Sequence, residues 1–105
     1  MKEEDLKIAR ALKERLSKVI KIVDLRVFGS RAKGQADEYS DMDVFIEIET
    51  MDKETEDLIN NIVWEVGIEN SIYISPLIFT RYEIEESPLK ESPIVKNIEE
   101  EGIRI

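Results

Sequence analysis

Residues Asp41 to Glu49 alternate without a break. Met42, Val44, Ile46 and Ile48 are apolar, and Asp41, Asp43, Phe45, Glu47 and Glu49 interleave with them. A period of two sends successive side chains to opposite faces of a strand. The apolar set must meet a core, so the segment is expected to be a strand with one face inward. Asp41 and Asp43 then stand side by side on the opposite face, which is expected to be open.

The flanking segments supply cover for the apolar face. From Lys2 to about Ile20, the residues Leu6, Ala9, Leu12, Leu16, Val19 and Ile20 recur at helical spacing. Ile22 to Phe28 alternates as a strand, with Val23, Leu25 and Val27 on one face. Leu58, Ile59, Ile62, Val63 and Val66 mark a second helix, from about Lys53 to Val66, that Gly67 is expected to end. Trp64 beside that stripe reads as partly buried core. Ser71 to Thr80 is a third strand, and Pro76 within it implies an edge position or a bulge, because proline cannot donate to a ladder. Ser87-Pro88 and Ser92-Pro93 each fit a cap followed by proline at the first helical position. Pro93 to Glu101 reads as a short helix, and Ile103 and Ile105 as part of a last short strand.

The 105 residues support a single domain, 1–105. With no cysteine and no histidine, disulfides, thiolate chemistry and imidazole ligands are excluded. Carboxylates, hydroxyls, Lys, Arg and backbone amides must carry any chemistry. The formal net charge of −9 argues against direct nucleic-acid binding, which needs local positive potential. That charge is unevenly spread: residues 1–35 carry ten Lys or Arg against five Asp or Glu, and the remainder carries five against nineteen. The charged start leads into an amphipathic segment rather than a signal or membrane span, so a cytoplasmic protein with no membrane partner is expected. Homo-oligomer formation is left open.

The basic third contains Gly29-Ser30, directly after the first strand, and the acidic part opens with Asp41 and Asp43. Two carboxylates two apart on a strand lie about 6.6 Å apart at Cα and can converge on one point. At ~5 Å and an effective dielectric of 20 their repulsion is roughly 3 kcal/mol, so a cation is expected between them. Hard oxygen ligands favour Mg²⁺, with Mn²⁺ as an alternative. Glycine lets backbone amides approach a phosphate closely, and Ser30 adds a hydroxyl as the cap of a short helical turn that Gly34 closes. Arg31 and Lys33 would add cationic donors. Alone, either half is an ordinary turn or strand edge; together they suggest metal-assisted phosphoryl or nucleotidyl transfer.

Gly29-Ser30, ten intervening residues and Asp41-Met42-Asp43, with Arg-Ala-Lys-Gly after the serine and Ser40 before the first aspartate, resemble the signature of the minimal nucleotidyltransferases of the DNA polymerase β superfamily. The resemblance spans nearly the whole chain. It implies an α+β nucleotidyltransferase fold, a small mixed sheet with helices packed on one face. It also implies ATP or another NTP with its phosphates on Gly29, Ser30, Arg31 and Lys33, and two Mg²⁺ on the catalytic pair Asp41 and Asp43. Many such proteins are antitoxins of HEPN-domain toxins, some acting by adding AMP to a toxin tyrosine. The resemblance thus implies a HEPN toxin as partner and acceptor. The superfamily often adds a third carboxylate on a neighbouring strand, whereas Ser71 to Thr80 has none; Glu69 is the nearest substitute. The alternative is a catalytically weak or inactive module that neutralises its partner by binding.

Overall fold

The computed structural model covers residues 1–105. In chain order it contains α1 (Glu3–Ser17), β1 (Ile22–Phe28), α2 (Gly29–Ala32), β2 (Met42–Ile48), α3 (Lys53–Glu69), β3 (Ile74–Thr80), α4 (Arg81–Glu85), a 3-10 turn (Pro88–Glu91), α5 (Pro93–Glu101) and β4 (Ile103–Arg104). The strands form one mixed sheet in the order β3-β2-β1-β4. β1 runs antiparallel to β2 and β4, and β2 runs parallel to β3. The alternating segment is therefore an inner strand, and the Pro76 strand is an edge, where its missing N–H costs no ladder bond.

The parity expected of β2 holds for its apolar set. Met42, Val44, Ile46 and Ile48 join Leu25, Val27 and Ile74 on one face, against Ala9, Leu12 and Leu16 of α1 and Ile59, Ile62, Val63 and Val66 of α3. Each fully buried Leu, Ile or Val contributes about 1.5–3 kcal/mol. This layer is the main source of stability. No helix is long and apolar enough to cross a membrane.

The second face departs from expectation. Phe45 and Glu47 are both buried, so only the Asp41–Asp43 end of that face is open. The cover comes from the C-terminal part of the chain, where Val95 and Ile98 of α5 are buried outside the main cluster. Helix α5 starts as expected: Pro93 takes its first turn and the Val95 N–H donates to Ser92 Oγ at 3.3 Å. Helix α4 was not legible as a periodic stripe. It is set by a reciprocal cap in which the Glu83 N–H donates to Thr80 Oγ1 and the Thr80 N–H to Glu83 Oε1.

Helix α1 stops at Ser17, short of Ile20, where the Val19 and Ile20 N–H groups both fold back on Leu16 O. Helix α3 runs past Gly67 to Glu69. Gly67 is required for a different reason: a Cβ there would lie 2.7 Å from Ile72 O, on the connection into β3. Trp64 is not core, being 61% exposed beside the equally exposed Ile68 and Tyr73.

Candidate active site

The antiparallel register of β1 and β2 places Phe28 opposite Asp43. The next residue, Gly29, is therefore delivered to the foot of the Asp43 side chain. Gly29 has φ +74°, and a Cβ on it would lie 2.5 Å from Asp43 Oδ2. The two sequence halves are thus in contact, through a position that only glycine can occupy without moving the carboxylate. From there α2 makes one turn, starting at Gly29 with Phe28 preceding it rather than at Ser30. Gly34 (φ +71°) reverses the chain as expected, and Ser30 is half-buried beside Gly29.

Asp41 is exposed just ahead of β2, and Asp43 is half-buried within it. Burial, and secondarily the charge of Asp41, push the Asp43 carboxyl above its usual range. No group of the chain neutralises the pair, which is the condition for accepting a divalent cation. No cluster of three or more Asp, Glu, His or Cys is placed to hold a metal. Two carboxylates suit Mg²⁺, which keeps several waters and takes substrate phosphate oxygens as further ligands.

The shifted Asp43 carries a stability consequence. A carboxyl whose pKa is raised by folding costs nothing at low pH, where native and unfolded chains are both protonated. The cost appears as pH rises above about 4, where the unfolded chain ionises first, and it persists above the folded pKa. Asp43→Asn is therefore expected to raise the melting temperature by a few degrees at pH 7 in EDTA, with the gain fading toward pH 3. A melting series over that range checks it; a gain that grows at low pH would contradict the assignment.

The structure separates the remaining expected residues from the pair. Arg31 is only 8% exposed. Its guanidinium donates to Asp5 Oδ1 (2.7 Å), to Ser40 O (2.7 and 3.0 Å) and to Asp37 O (3.3 Å). It is a tie between α1 and the loop that delivers Asp41, not a free phosphate donor. Lys33 reaches Glu101 at 3.2 Å, with both side chains about half exposed; such a surface pair is worth about 0–1 kcal/mol and exchanges readily. Glu69 does not stand on a strand beside the pair: it ends α3, where both its oxygens accept from Arg15. On β3 the residues in register with Asp43 and Phe45 are Ser75 and Leu77. The β3 residue beside Asp43 thus carries a hydroxyl, and the one two further along, beside Phe45, an alkyl group.

The residue that the sequence reading missed is Asp5, which is 2% exposed. Its signal was present: Asp5, Ala9, Leu12 and Leu16 share one helical stripe, and all four are buried. A carboxylate at the head of a buried stripe calls for a cation from elsewhere in the chain.

The pattern of the family described as "Nucleotidyltransferase domain" matches residues 6–105. Among solved structures the fold is similar to one described as "Crystal structure of the toxin-antitoxin with AMP-PNP". That likeness has a TM-score of 0.60 and 14% identity, and covers 90% of this chain and 69% of the other. Among curated proteins no significant match is found. A mixed sheet with a Gly-Ser turn docked under an Asp-x-Asp strand, and a family pattern covering almost every residue, give one conclusion: this chain belongs to the nucleotidyltransferase domain family.

Proposed function

We propose that the protein transfers a nucleoside monophosphate, AMP from ATP, to a hydroxyl group, the acceptor being a tyrosine of a HEPN-type toxin that it restrains. The observation that carries this reading is the contact of Gly29 with the Asp43 carboxylate. It brings a phosphate-sized backbone turn and a cation-seeking carboxylate pair to one point. The toxin–antitoxin description of the similar fold, with its ATP analogue, supports the choice of partner and nucleotide.

In this reading the amides and hydroxyl of Gly29 and Ser30 hold the triphosphate, and Lys33 exchanges Glu101 for a phosphate oxygen. Asp41 and Asp43 hold Mg²⁺, which when bound neutralises charge on the transferring phosphoryl group. The acceptor oxygen forms a bond to the α-phosphorus, the bond to the β-phosphate oxygen breaks, and pyrophosphate leaves. With Ser75 and Leu77 where a third carboxylate would stand, the hydroxyl proton passes to water or to a group of the acceptor.

Incubation with α-labelled ATP, Mg²⁺ and the product of the adjacent gene tests the proposal. Label is expected on that protein, and its transfer should fall at least ~10²-fold in Asp41→Asn and Asp43→Asn. No transfer, or transfer indifferent to both changes, would refute it. Ser75 and Leu77 favour a second reading, an inactive module that neutralises its partner by binding. It expects both Asn variants to bind and neutralise the partner as well as the parent does.

A further inference from the structure

The second face of the sheet holds a cavity of about 370 Å³ beneath α4 and α5, beyond Phe45 from the aspartate pair. Its floor is set by register: Asp24 stands opposite Glu47 and Arg26 opposite Phe45, while Arg104 on β4 stands beside Arg26. Ile84, Val95 and Ile98 add apolar walls. Glu47 lies four residues along β2 from Asp43, about 13 Å away, so the cavity is separate from the Asp41–Asp43 site.

The charges in this cavity are unequally satisfied. Asp24 accepts from Arg26 Nε at 2.8 Å and from Arg104 Nε at 3.0 Å, and Arg26 also donates to Glu99 O at 3.3 Å. Glu47 is 6% exposed, lines the cavity, and has no hydrogen bond or ion pair within the chain. Arg81, the cation nearest in effect, is drawn to Glu49 (3.3 Å) and Glu85 (3.8 Å). Burial, then Asp24 and Glu85, push the Glu47 carboxyl above its usual range, Glu49 adding to them and Arg81 alone opposing. The field at Glu47 is therefore negative, so a cation suits the cavity better than a neutral donor does. Glu47 as a residue is more than nine-tenths buried; an unpaired carboxyl there is costly, and among the neighbouring charges Arg81 alone offsets it.

We infer that this cavity is a binding site for an ammonium or guanidinium group on a short aliphatic stem. Glu47 is the acceptor that anchors the head, and Phe45, Ile84, Val95 and Ile98 surround the stem. The volume accommodates one such group, which is either a free small amine or the terminus of a Lys or Arg side chain presented by another protein. This site goes beyond the proposed transferase reading and does not depend on it.

Calorimetric titration in EDTA tests the site with butylammonium, agmatine, an acetylated and amidated lysine tripeptide, and butanol as the neutral isostere. One or both cationic classes should bind at least tenfold more tightly than butanol. Which class prevails, free amine or peptide, identifies the source. Glu47→Gln should abolish that preference while melting no lower than the parent at pH 7, and Asp43→Asn should leave it intact. Equal affinity for amine and alcohol, or a preference that survives Glu47→Gln, would overturn the inference. So would a preference lost in Asp43→Asn, which would place the amine at the aspartate pair. Because no nucleotide is present, failure here says nothing about nucleotide transfer.

Discussion

If the proposed function holds, Gly29→Ala is expected to cut nucleotide transfer by about 10²-fold while leaving the fold in place. At φ +74° an alanine costs about 1–2 kcal/mol in backbone energy, and its Cβ would stand 2.5 Å from Asp43 Oδ2. Something must shift, and the three atoms nearest to that position all belong to the Asp43 side chain. Displacing a reacting group by about 1 Å costs on the order of 10²-fold in rate. Gly34 is the built-in control. It has a similar φ of +71°, but a Cβ there meets nothing within 4 Å. Gly34→Ala should therefore lose a similar backbone term and keep activity and Mg²⁺-dependent nucleotide binding. Melting temperature, nucleotide titration and label transfer on the two variants give the comparison. Equal loss of binding in both would show that the Gly29–Asp43 contact has no special role.

Asp5→Ala is expected to be strongly destabilising, although Asp5 touches neither aspartate of the pair. Removing its carboxylate leaves the Arg31 guanidinium buried without a counter-ion, a loss of about 3–5 kcal/mol. Against a total stability of about 5–15 kcal/mol, the melting temperature should fall by at least about 12 °C. The double change Asp5→Leu with Arg31→Met removes both charges together and should recover much of that loss. It should not recover nucleotide binding, because the bonds from Arg31 to Ser40 O and Asp37 O go with it, and Ser40 is the residue that positions Asp41. Recovery of stability and binding together would show that Arg31 serves the fold alone. One oxygen of Asp5, Oδ2, is buried without a partner, so the native pair is itself imperfectly satisfied and Asp5→Asn should be milder than Asp5→Ala.

The parts of the fold that were legible in the sequence share one property: each is decided by neighbours within about one turn or one strand. The stripe of α1, the alternation of β1 from Leu25 onward and of β2, the edge position implied by Pro76 and the caps at Ser87 and Ser92 are all of this kind; at the start of β1 a register shift between Ile22 and Asp24 sets Ile22, not Val23, against the core. So is Gly34, whose left-handed conformation closes a local turn. The errors have the opposite character. Gly67 looked like a helix stop because glycine often is one, but its role is clearance for Ile72 O, five residues on in the connection to β3. Trp64 looked half-buried because it adjoins an apolar stripe, but it lies over the edge strand, where it lines an open groove with Ile74 and Pro76 of β3.

The candidate site divides the same way. The sequence by itself determined that Asp41 and Asp43 leave the core face, that a Gly-Ser turn follows a strand, and that no third carboxylate lies on the next strand, since these are matters of parity, adjacency and composition. Tertiary structure alone decided that the turn and the pair touch, because that depends on the β1–β2 register. It also assigned Arg31 to Asp5, twenty-six residues away, rather than to a phosphate, and it roofed Phe45 and Glu47 with a helix from the end of the chain. A cation's partner and a face's cover are chosen by elements far apart in sequence. Periodicity reports which way a side chain points, and only packing reports what waits for it there.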